Sequence, residues 1–175
     1  MTTTPAEPAI RLALPEDALE IAGVHVRSWQ VGYRGLIDSA FLDALDPARR
    51  AGLYGLGSSG PGARETIVVT LGEAIVGFST FGPTRDPDVA GAGEIYALYV
   101  DPPHWGAGLG RRLLEDTRRR LLTRSFTDAV LWVLLGNDRA ERFYGEDGWR
   151  RDGTERDEDP YGVVVRVRRF RRRLG

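Results

Sequence analysis

Glycines 106, 108 and 110, in the run Trp105-Gly106-Ala107-Gly108-Leu109-Gly110-Arg111, are the residues whose spacing most directly implies chemistry. Lacking side chains, they let backbone N–H groups approach an anion. The amphipathic pattern that starts at Gly108 adds the unsatisfied donors and positive end of a helix. That combination binds phosphate or pyrophosphate. Two other phosphate loops do not fit. Counted from Gly106, the dinucleotide pattern G-x-G-x-x-G puts Arg111 where its third glycine belongs, and Asp128 opens the next strand where a ribose-binding acid should close it. A P-loop needs a lysine, and the chain has none. A plain turn before a helix is the other reading of the same residues.

Composition closes further routes. The 175 residues include no cysteine, and all 24 of the Lys+Arg positions are arginine. Thiolate nucleophiles, Cys-based metal sites, Schiff-base lysines and Ser–Lys pairs are thereby excluded. His25 and His104 are the only histidines, so a His-rich site is excluded and no metal is expected. The 24 basic and 25 acidic side chains leave a net charge of −1, so no field directs the chain to nucleic acid. The arginines between Arg166 and Arg173 read as the outer face and end of a last strand. The longest apolar run, Ala129 to Leu135, is far short of the ~18 residues of a membrane helix. The first nine residues lack the charge and apolar core of a signal peptide. A cytoplasmic location with no membrane contact is the expectation.

The elements that must position the glycine loop follow from periodicity. Residues 9–14 alternate as a strand. Pro15-Glu16-Asp17 opens a helix with an apolar stripe at Ala18, Ile21, Ala22 and Val26, running to about Trp29. Asp38 caps a second short helix to about Leu45, residues 47–54 continue helically, and a Gly/Ser/Pro loop spans 55–62. Strands 66–71 and 74–81 pair as a hairpin about Gly72-Glu73. After a loop over 82–93, residues 94–100 form a strand, 101–107 a turn and 108–122 a helix. That helix buries Leu113, Leu114, Thr117 and Leu121 and turns Arg111, Arg112, Glu115, Arg118 and Arg119 to water. Residues 128–135 read as a strand buried on both faces. Asp138, three residues before Glu141, caps a helix to about Gly145. Strands starting near Gly148 and Tyr161 complete a single α/β domain with a mixed sheet. Residues 9–173 form this domain, and 1–8 are expected to be a flexible N-terminal segment.

The run from Trp105 to Gly110, set between strand and helix, resembles the (Gln/Arg)-x-x-Gly-x-(Gly/Ala) signature of the GNAT superfamily of acyl-CoA-dependent N-acyltransferases. Gly108 and Gly110 match, while Trp105 stands where the family has Gln or Arg. The resemblance continues through Gly93-Glu94-Ile95-Tyr96-Ala97-Leu98-Tyr99-Val100 and through Asn137, Phe143, Tyr144, Gly148 and Trp149, over about Ala9 to Phe170. It implies a mostly antiparallel sheet flanked by helices and splayed at its central strands. It also implies acetyl-CoA as acyl donor. The backbone of Trp105, Gly106, Ala107, Gly108, Leu109, Gly110 and Arg111 would hold the pyrophosphate. Leu98, Tyr99 and Val100 would pair with the pantetheine arm, and Asn137 would contact it.

In the implied reaction an amine attacks the thioester carbonyl, after losing a proton if it arrives as an ammonium. Glu94, at the position where many members place a base, is the expected base; a solvated strand end is its alternative. A backbone N–H at Leu98 would stabilise the oxyanion. Tyr144 would protonate the departing thiolate, a core tyrosine being its alternative. The acceptor pocket is expected at Trp29 and Tyr33, which equally suit core packing. Asp152, Glu155, Asp157, Glu158 and Asp159 read as an acidic loop, able to attract a cationic amine or simply solvated. His25 is expected to be structural and His104 exposed. The acceptor is a small-molecule, polyamine or peptide amine, and the resemblance implies a chain that can form a homodimer. The rivals are a non-catalytic acyl-CoA-binding sensor and an unrelated phosphate-binding α/β module.

Overall fold

The computed structural model describes residues 7–58 and 60–175. Strand β1 (Pro8–Leu12) leads through a 3₁₀ turn to helix α1 (Ala18–Gly32), followed by the short helices α2 (Ser39–Asp43) and α3 (Pro47–Ala51). Strands β2 (Glu65–Leu71), β3 (Ala74–Pro83) and β4 (Gly93–Val100) precede helix α4 (Leu109–Thr123). Then come β5 (Asp128–Leu134), α5 (Asp138–Glu146), β6 (Arg150–Glu158) and β7 (Val165–Arg173). The seven strands form one sheet in the order β1-β2-β3-β4-β5-β7-β6. Only the β4–β5 contact is parallel. Of the expected N-terminal segment, Pro8 already belongs to β1, the exposed Glu7 precedes it, and residues 1–6 lie outside the described residues. No described helix is long and apolar enough to cross a membrane.

Both faces of the central strands are buried, because successive side chains alternate. Ile67 and Val69 of β2 pack with Leu113, Leu114 and Leu121 of α4, while Val68 turns to Ile21 and Val24 of α1. Each such side chain contributes roughly 1.5–3 kcal/mol on burial. The aliphatic stripe of α4 is buried as its spacing requires, but Arg118 is half-buried rather than exposed, paired with Asp147 at 3.1 Å.

The last hairpin departs from expectation. Residues 150–158 are a strand, not an acidic loop, because their carboxylates stand beside the arginines of β7. Glu155 is directly opposite Arg168, and Asp157 opposite Arg166, with ion pairs at 2.9 and 3.2 Å. An irregularity between Arg151 and Glu155 turns Asp152 inward onto Arg169, at 2.6 Å. Arg169 itself is buried, not on an outer face, and also holds Asp86 and Asp88.

Candidate active site

Pairing between β4 and β5 stops after three residue pairs, Gly93 with Ala129, Glu94 with Val130 and Ile95 with Leu131. Beyond them β4 stays registered with β3, and β5 with β7, so the two strands part. A bulge at Tyr96, between the pairs Ala97–Thr80 and Ile95–Phe81, adds the local twist that drives this separation. Asp101 N–H bonds to the Val76 carbonyl at 2.8 Å. By antiparallel alternation, the backbone groups of Leu98 and Val100 therefore point away from β3 into the gap. A cavity of about 630 Å³ opens there, lined by β4, β5, the glycine loop, α5 and the end of α1.

At one end of the cavity, Gly106 and Gly108 have φ of 81° and 78°, values that side-chain-bearing residues rarely adopt. Gly108 is the N-cap of α4 and no side chain caps it. The donors of the first turn are therefore left for a ligand. Gly110 serves packing instead, since a Cβ there would lie 3.4 Å from the Phe143 ring. Leu109 and Arg111 line the cavity, whereas Ala107 does not. The exposed Arg111 is only loosely paired, 3.8 Å from Glu146. His104 is half-buried at the cavity wall rather than exposed.

Trp105 has a defined task. Its indole N–H donates to the Val100 carbonyl at 2.6 Å, and Ser28 Oγ donates to the same oxygen at 3.0 Å. Val100 thus retains only its N–H for a ligand, and Leu98 is the position with both backbone groups facing the gap. Arg139 stacks on the indole, its guanidinium carbon 3.5 Å from the ring centroid. Sequence reasoning did not single out Arg139. Its signal was the motif's missing first-position cation, which α5 returns to the cavity wall beside Trp105.

Tyr144 is buried on α5 and faces the cavity, packed against Phe143 and Trp149. Burial pushes its phenol well above the ordinary value, opposed by the nearby Arg139 charge. It therefore stays protonated at neutral pH. Tyr33 and Tyr99 join it, their hydroxyls 3.3 Å apart. Burial raises both phenols as well. Asn137 lines the cavity too, and it, not Asp138, caps α5: its side chain accepts from Ala140 N–H at 3.2 Å. Asp138 occupies the first helical turn.

Two expected site residues stand apart. Trp29 is buried behind Tyr33, ring centroids 5.0 Å apart, and does not reach the cavity. Glu94 is fully buried, outside the cavity wall. Its carboxylate accepts from the Arg85 backbone N–H at 2.9 Å and from the Arg85 guanidinium at 2.6 Å. His25 is structural as expected: it is buried, with Nδ1 2.7 Å from the Tyr54 hydroxyl. Among the described residues no group of three or more His, Asp or Glu side chains could hold a metal.

The cavity thus joins a parted parallel strand pair, an uncapped glycine-rich helix start and a protonated tyrosine. The acetyltransferase (GNAT) family profile matches residues 34–149, and the chain belongs to that family as an N-acetyltransferase. It is 31% identical over 136 residues to the uncharacterized N-acetyltransferase YuaI of Bacillus subtilis, covering 73% of this chain and 72% of that one. The PaiA N-acetyltransferase of Thermoplasma acidophilum, solved with coenzyme A, shares the fold. Its TM-score is 0.70 at 16% identity, over 95% of this chain and 99% of that chain. YncA of Salmonella typhimurium, a putative acetyltransferase solved with acetyl-CoA, gives a TM-score of 0.70 at 19% identity, over 96% and 94% of the two chains.

Proposed function

We propose that this chain transfers the acetyl group of acetyl-CoA directly onto an amine, with the coenzyme lying in the β4–β5 gap. The observation that carries this reading is the gap itself: unpaired backbone groups of Leu98 and Val100 lead from the left-handed glycine loop to the Tyr144 phenol. The loop N–H groups and the start of α4 hold the pyrophosphate, with Arg111 at its edge. The arm runs as an extra strand along Leu98 and Val100, and the Asn137 amide reaches it.

The Leu98 N–H faces the thioester oxygen and stabilises the charge that develops on it. The amine nitrogen forms a bond to the carbonyl carbon, the C–S bond breaks, and Tyr144 gives its proton to sulfur. Water returns the surplus nitrogen proton to the phenolate, so amide and free thiol are the only products. This reading gives Glu94 an anchoring role for the 84–92 loop, because both of its oxygens are engaged by Arg85. The acceptor enters beside Tyr33 and Tyr99. A covalent intermediate on the protein is not part of the route, since the chain has neither cysteine nor lysine and no serine–histidine hydrogen bond occurs among the described residues.

Thiol release from acetyl-CoA across polyamines, amino acids, aminoglycosides and peptides, paired with calorimetry of coenzyme A binding, tests it. Binding together with release by at least one amine class supports transfer. Binding without release by any class leaves a coenzyme sensor. No binding removes the reading.

A further inference from the structure

Two arginines are buried among the described residues, and they are treated oppositely. Arg169, 4% exposed, has carboxylates of Asp86, Asp88 and Asp152 around it. Arg50, 5% exposed, has no carboxylate partner among the described residues, and residues 1–6 and 59 carry no acidic side chain. Its guanidinium lies 3.7 Å from the ring centroid of Tyr161 and 5.2 Å from that of Trp29. Nη1 is 3.5 Å from His25 Nε2. A guanidinium can only donate, so Nε2 accepts and His25 carries its proton on Nδ1, toward the Tyr54 hydroxyl. The imidazole is neutral; burial, then the Arg50 charge, holds its pKa well below the usual range.

A buried cation without a counter-charge is costly to keep, and aromatic faces offset only part of that cost. The position of Arg50 shows what the charge faces. His25 stacks on Tyr99 with centroids 4.7 Å apart, and Trp29 packs on Tyr33; both tyrosines line the acetyl-transfer cavity. The cation therefore sits one aromatic layer beyond the cavity. Its outer cover is Tyr161, half exposed, in the loop between β6 and β7, with φ of 89° beside Gly162 at 95°. The Tyr161 ring rests on Arg50, Trp29 and His25, and its backbone is held in the left-handed region where it meets the cation.

The structure assigns Arg50 as the subsite for a carboxylate carried by the acceptor, whose amine reaches Tyr144 from the same aromatic floor. The assignment rests on the acetyl-transfer reading of the adjoining cavity. Tyr161 swings aside, and the carboxylate takes the face it leaves, forming the charge-assisted bonds that Arg169 already has and Arg50 lacks. Because the cation lies behind the His25–Tyr99 layer, acceptors of this class are acids whose amine stands several bonds from the carboxylate, not α-amino acids or polyamines. The acids of β6, which would have drawn a polyamine, are instead bound to arginines.

Calorimetric titration of the protein loaded with coenzyme A tests this, using γ-aminobutyrate, 5-aminopentanoate and 6-aminohexanoate, each against its own carboxamide. At least one acid should bind about 10²-fold more tightly than its amide, the scale expected when one member of a buried charge pair is removed. Arg50→Gln should erase that preference, with folding verified from its unfolding temperature. Should it not fold, Arg50→Lys replaces it, keeping a cation without the planar fork, and its preference should fall several-fold. Equal binding within every pair, or a preference that survives in the folded variant, overturns the assignment. The same pairs are then followed for thiol release from acetyl-CoA. Preference without release counts against transfer and leaves the subsite standing; release without preference counts against Arg50 alone.

Discussion

The guanidinium of Arg139 lies over the indole of Trp105, 3.5 Å from its centroid, joining the first turn of α5 to the glycine loop at the cavity wall. Gly32, at the end of α1, completes this contact, since a Cβ there would lie 3.6 Å from Arg139 and 3.7 Å from Trp105. Burial lowers the pKa of Arg139, so its charge sits in a partly desolvated wall.

Arg139→Gln should therefore weaken coenzyme binding. A cation–π contact is worth ~0.5–2 kcal/mol, which corresponds to an increase of about 2- to 30-fold in KM for acetyl-CoA. Trp105→Phe keeps a ring for the stack but deletes the hydrogen bond to Val100, and should cost about 1 kcal/mol in urea unfolding.

Tyr144→Phe removes the proposed proton donor and little volume. Turnover should fall by roughly 10–10³ while coenzyme affinity measured by calorimetry stays nearly constant. The wild-type phenol is pushed up by burial, so it stays a competent acid past the ordinary value of ~10. A loss of kcat already at pH 8–9, with the free amine saturating, would assign the acid elsewhere.

Glu94→Gln separates anchor from base. Replacing the carboxylate weakens a charge-assisted pair with Arg85 at a buried position, and should lower stability by ~1–3 kcal/mol. The shape of kcat/KM against pH should be unchanged. A basic limb shifted in the variant would restore Glu94 to proton transfer.

Gly108→Ala places a side chain at φ 78° and should cost ~1–2 kcal/mol. Because the strain falls on the N-cap of α4, coenzyme A affinity should fall with it, by calorimetry.

Asp17 gives an acid-stability prediction. Its hydrogen bond with Arg11 holds its carboxyl below the ordinary carboxylate range, against burial and with help from Leu14 N–H. A group lowered in the folded state stabilises above its unfolded pKa, and that stability drains away as pH falls through the folded value. Urea midpoints should thus fall with acidification from about pH 4 downward, and Asp17→Asn should flatten that part of the decline.

Local signals were legible and long-range partners were not. The hairpin about Gly72-Glu73, the glycine loop and the inward face of Tyr144 depend on spacing within one element, and each took its expected form. Asn137 and Asp138 are both good caps at adjacent positions, so the helix start was ambiguous by one residue. Glu94 read as a free carboxylate because Arg85 reaches it from the far end of a loop. The acids at 152–159 read as a loop because only pairing with β7 makes their charges tolerable in a strand. Arg50 carried no pattern at all; its importance lies in partners from α1 and from the β6–β7 loop.

Among the described residues, three residue pairs are the whole strand pairing between β1–β4 and β5, β7 and β6. A ligand lying in that gap would mend the sheet across the break. With the coenzyme seated as proposed, amide exchange at Leu98 and Val100 should slow when the spent carrier is bound.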